Sequence, residues 1–85
     1  MAYTARMNGA RIYQGNLSWF WTLLNDGEAV ADLSLIKGKL TEIQWRSVDA
    51  QSDLHAHTDN PEGFIEALIG NFKTAGEARD GKASQ

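Results

Sequence analysis

A chain of 85 residues has room for one hydrophobic core, since a domain of this size buries only about 60% of the surface its unfolded chain exposes. With 42% apolar residues, three tryptophans and no cysteine, the chain can offset its folding entropy, but it has neither a disulfide framework nor a thiolate zinc site. The net charge of −3 at pH 7 disfavours a general nucleic-acid binder, which needs surplus lysine and arginine to displace counterions from phosphate.

Residues 1–9 lack the apolar run of a signal peptide, and no apolar stretch reaches the roughly 18 residues of a membrane span, so a cytoplasmic location is expected. From there the chain reads as consecutive hairpins. Asn8-Gly9 predicts a turn between strands at 3–7 and 10–14, because both residues tolerate the positive φ of a two-residue hairpin loop. Gly15-Asn16 leads into a strand at 17–24. Asn25-Asp26-Gly27, read as a three-residue loop, leads to one at 28–36, and Lys37-Gly38-Lys39, likewise, to one at 40–48. A looser turn over 49–52 precedes a sixth candidate strand at 53–58.

These loop lengths set a register, and a one-residue slip would turn every side chain over. Trp19 is expected opposite Leu33, Trp21 opposite Ala31, Leu17 opposite Leu35 and Leu23 opposite Ala29. A three-residue loop at 37–39 places Ile43 beside Leu33 and Trp45 beside Ala31, whereas a two-residue loop would set Glu42 and Gln44 against the apolar row. Ile12 falls opposite Trp19 and Ala10 opposite Trp21, with Ala5 and Met7 on the same side. One face is therefore apolar and needs a cover.

The cover follows Asp59-Asn60-Pro61, where the apolar period becomes helical, with Phe64, Ile65, Leu68, Ile69 and Phe72 on one stripe. Asn60 suits the N-cap and Pro61 the first helical position, while Glu62 and Lys73 complement the helix dipole and Gly76 is the expected stop. Burying the five stripe residues contributes on the order of 8–15 kcal/mol gross. Gly70 lies off the stripe, with no role evident from the sequence. The expectation is an α+β domain over 1–76, an antiparallel meander of five to six strands with one C-terminal amphipathic helix on one face, followed by a disordered tail at 77–85.

No nucleophile elbow or phosphate-binding glycine fingerprint is present, and a small sheet covered on one face has few ways to form a deep pocket. The reading is of a protein that is not an enzyme and needs no cofactor. The segment Asp53-Leu54-His55-Ala56-His57-Thr58-Asp59 resembles the metal-binding His-x-His strand that opens the PHP-type phosphoesterase and amidohydrolase families. The likeness covers these seven residues, and residues 60–85 cannot supply the remaining strands of such a barrel. It implies at most a small independent zinc or manganese site, with Asp53, His55, His57 and Asp59 on one side of an extended strand and Glu42 as a further ligand. The alternative is two solvated histidines beside a turn.

Trp19, Trp21 and Trp45 fall under the helix and read as core. The opposite face gathers Arg6, Arg11, Tyr13, Phe20 and Arg46 with Asp32, Ser34, Glu42 and Gln44. Arginine with tyrosine and phenylalanine is the residue mix of binding hot spots, although one stray aromatic on a solvated face requires no function. Two occupants suit this face. A protein partner or a second copy of the chain would be anchored by Phe20 and Tyr13; single-stranded nucleic acid would stack bases on the two rings and set phosphates on the arginines. The acidity favours the first, and a small acidic chain without an active site suits a phage- or mobile-element-type inhibitor or adaptor that binds a host protein complex.

Overall fold

Three two-residue turns, Gln14-Gly15, Asp26-Gly27 and Lys37-Gly38, organise the sheet in the computed structural model, which describes residues 2–71. In each, a residue with φ of 52°, 53° or 56° precedes a glycine with φ of 79°, 84° or 81°, the double positive φ that lets a tight loop follow the right-handed twist of its strands. The strands they join are β1 (Tyr3–Tyr13), β2 (Asn16–Asn25), β3 (Glu28–Ile36) and β4 (Lys39–Trp45). They form one antiparallel sheet in the order β1-β2-β3-β4. An antiparallel meander of the α+β class is as expected; among the described residues four strands and two helices stand in place of the five to six strands and single helix.

The differences within the sheet share one cause. Where the alternation of apolar residues changes phase, the chain combines a two-residue turn with a β-bulge, and a bulge inserts one residue that shifts the phase without turning the chain. Asn8-Gly9 is not a hairpin: the expected strands at 3–7 and 10–14 are one, and the register passes from Met7↔Trp21 to Gly9↔Phe20 with Asn8 as the extra residue. The turn after it falls at Gln14-Gly15, so Ala10 lies opposite Trp19 and Ile12 opposite Leu17. Between β2 and β3 the loop has two residues, and Val30 is skipped between the pairs Leu23↔Ala31 and Leu24↔Ala29. Trp19 consequently faces Leu35 and Trp21 faces Leu33, two residues from the expected register. Between β3 and β4 the loop also has two residues, but an extra Thr41 restores the expected pairs Leu33↔Ile43 and Ala31↔Trp45.

The segment expected as a loose turn and sixth strand is helix α1 (Val48–His57). Ser47 caps it, its hydroxyl accepting from the Ala50 N–H at 3.0 Å; Asp49 lies in its first turn and His55 and His57 in its last, where each suits the dipole. Leu54 is fully buried and fastens the helix to the core. Thr58 closes α1 through its N–H to Leu54 O (3.0 Å), and its hydroxyl accepts from the Asn60 N–H (3.1 Å). Asn60 then caps helix α2 (residues 61–71), accepting from the Gly63 N–H at 3.1 Å, so the expected N-cap and first-turn proline are in place. Ile65 and Ile69 are buried and Phe64 and Leu68 pack beside them. Phe72, Lys73, the stop at Gly76 and the tail at 77–85 lie outside the described residues.

The core joins Ala5, Trp21, Leu23, Ala31, Leu33 and Leu35 of the sheet to Leu54, Ile65 and Ile69 of the helices, with Trp19, Ile43 and Trp45 partly buried against it. This is the apolar face read from alternation. Its cover is incomplete: Met7, Ile12 and Leu17 belong to the same face but are 52%, 68% and 51% exposed. Among the described helices none is long and apolar enough to cross a membrane.

Candidate functional site

Register places the outer-face residues together. Arg6 pairs with Thr22, Arg11 with Ser18, Tyr13 with Asn16, and Phe20 with both Gly9 and Ser34, so these side chains share the face opposite Trp19 and Trp21. Phe20 is half-buried in the second strand, and the Arg11 guanidinium lies 4.4 Å from its ring centroid, a cation–π contact that covers part of the ring. Tyr13 is 50% exposed. Arg11, Tyr13 and Phe20 line one open groove of about 640 Å³ with Asp32, Ser34, Glu42 and Gln44.

Arg6 and Arg46 stand outside the residues lining that groove. Arg46 donates to Asp32 at 3.0 Å, with both side chains about half exposed, a pair that contributes about 0–1 kcal/mol to stability but neutralises one of the three arginines of the face. The groove thus offers one guanidinium, already stacked, against the carboxylates of Asp32 and Glu42.

Sequence reasoning missed the polar support of this face. Asn8 donates to the Thr22 hydroxyl at 2.7 Å, and Thr22 is buried although it faces away from the helices. Ser18, also buried on this side, donates to Asn16 O at 3.2 Å. Small hydroxyl residues flanking Phe20 on the outer side of the most apolar strand, alternating with its tryptophans, were the available signal.

The second expected cluster has a different geometry. Asp53, His55 and His57 belong to α1, not to an extended strand, and Asp59 lies in the corner after it, so the alternation that aligned the four is absent. Among the described residues no three metal-capable side chains converge. His57 instead packs against both Tyr3 and Phe64, with ring centroids 5.2 Å from each, and His55 lies 6.4 Å from Trp45. Burial pushes the Tyr3 phenol above its ordinary value of 10.0, and the nearby carboxylates of Asp53 and Asp26 push the same way.

The fold and this surface define a small α+β protein with helices on one side of an antiparallel meander and a shallow, side-chain-lined groove on the other. Comparison with protein-family models, curated proteins and solved structures finds no match to the chain.

Proposed function

We propose that the chain is a non-catalytic interaction domain that binds a protein partner on the outer sheet face, with Tyr13 and the stacked Arg11–Phe20 pair as anchors. The observation that carries this reading is the groove itself: a half-exposed tyrosine and a ring capped by a guanidinium sit in one concavity with two carboxylates. Aromatic and arginine side chains surrounded by polar groups are what protein interfaces concentrate at their centres. Such a domain acts by occluding or bridging a larger complex, as an inhibitor or adaptor does.

Single-stranded nucleic acid is a weaker fit. Stacking sites are present, but Arg46 is engaged by Asp32, and Glu42 puts negative charge where phosphates would lie. The test is capture from lysate by immobilised wild type, Tyr13→Ala and Phe20→Ala proteins, quantified by mass spectrometry, with urea melts to verify folding. Loss of a specific partner by about tenfold or more in either variant is expected, the size of a hot-spot truncation. Unchanged capture would remove the reading, and retention of single-stranded RNA on a filter at low salt would replace it.

A further inference from the structure

A free sheet edge and a groove coincide at β4. Among the described strands β4 pairs only with β3, leaving the backbone groups of its other side without a ladder partner. The register says which groups these are. The Arg46 N–H donates to Val30 O at 2.9 Å, and antiparallel bonding alternates along a strand. With Gln44 opposite Asp32 and Glu42 opposite Ser34, the even-numbered residues face β3, so the N–H and C=O of Ile43 and Trp45 point away from the sheet. Alongside runs a groove of about 600 Å³, between this edge and the corner where α1 passes into α2. Its floor is the half-buried Leu40, Ile43 and Trp45, and its far wall is His55, Pro61 and Glu62.

We infer that this edge accepts an extended peptide segment of a partner protein, added as a fifth antiparallel or parallel strand. An added strand takes its affinity from main-chain bonds and its selectivity from alternate side chains, which fall on opposite sides of the sheet. One set would rest on Leu40, Ile43 and Trp45, and the other would emerge on the outer face beside Glu42 and Gln44. The groove's charged lining is Glu42 and Glu62, with no lysine or arginine, so the fitting segment alternates apolar residues with basic ones. A second copy paired through the same edge would set these carboxylates against their own counterparts. Residues 77–85 carry Arg79 and Lys82 but no large apolar residue to cover the floor.

The test uses the full chain and two fluorescein-labelled heptapeptides, one alternating valine with lysine and one alternating valine with glutamate, followed by anisotropy and amide-proton NMR. The valine-lysine peptide should bind at least tenfold more tightly, slow the exchange of the Ile43 and Trp45 amides, and lose about tenfold in affinity to the Glu42→Lys/Glu62→Lys variant. Phe20→Ala should bind it unchanged, which separates this edge from the outer-face groove. Equal affinity for both peptides, no binding up to about 1 mM peptide, or changes confined to Arg11, Tyr13 and Phe20 would overturn the inference. So would Ile43 protection in a dimer without peptide, which would make a second copy the occupant, or binding that appears only when residues 77–85 are deleted, which would make it the tail.

Discussion

A methyl group added to each of two glycines in α2 should have different effects. At Gly70 a Cβ would meet nothing within 4 Å on an exposed helical position, so Gly70→Ala should raise stability by about 0.5–1 kcal/mol by restricting the unfolded chain. At Gly63 the same Cβ would collide with the Asn60 side chain that caps the helix, and Gly63→Ala should gain nothing or lose up to about 1 kcal/mol. Urea melts of the two variants check both, and an equal gain would mean that the cap contributes little. Tyr3 supplies a pH dependence. Its phenol is raised by burial and by Asp53 and Asp26, so the neutral form is favoured in the folded state. The stabilisation is complete below the ordinary phenol value of 10.0 and is lost as pH rises through the higher folded value. Above about pH 10 the wild type should therefore lose stability faster than Tyr3→Phe, read as diverging denaturant midpoints.

At the scale of elements, the phase changes of the apolar pattern were legible but their mechanism was not. Apolar residues of the covered face are odd-numbered through Met7 and even-numbered from Ala10 to Ile12; a two-residue hairpin and a one-residue bulge each produce that switch. Asn8-Gly9 suits either. Gly9 at φ 147° serves the bulge, and Gly9→Ala should cost about 1 kcal/mol or more because an L side chain rarely adopts that conformation. The true first turn, Gln14-Gly15, has a first residue poorly suited to positive φ, so Gln14→Asn should stabilise by about 0.5 kcal/mol or more in a thermal melt. Helix α1 escaped notice because Leu54 is its one buried residue, too little for a helical period. Its legible signal was Ser47 three residues before Ala50, the N-cap spacing. Leu54→Ala should cost about 2–5 kcal/mol, and a smaller loss in urea would show that α1 is not fastened to the core through this residue.

Across the whole molecule, coverage follows from lengths. The eleven-residue β1 spans about 33–36 Å, whereas the ten-residue α1 and the described part of α2 each reach only about 15–17 Å. The helices roof the end where Tyr3, Ala5, Leu23 and Ala31 lie and leave Met7, Ile12 and Leu17 half or more exposed at the other. Native-state hydrogen exchange should accordingly be slowest around Leu23, Ala31 and Leu33 and fastest at the β1–β2 turn, with amides of residues 10–17 opening well below the global free energy. Uniform protection along β1 and β2 would mean that something else covers the hairpin end.

Alternation along each strand determined which side chains share a face, because any combination of turn and bulge that keeps the apolar row continuous keeps that partition. The core tryptophans and the grouping of Arg11, Tyr13 and Phe20 were therefore readable from the chain alone. Only tertiary structure decided the turn lengths, the bulges and the partners across each ladder, since local residue preferences allow more than one backbone path to the same pattern. It also decided that residues 48–57 coil into a helix, where burial of a single leucine and a serine cap outweigh a sequence that alternates weakly in either direction.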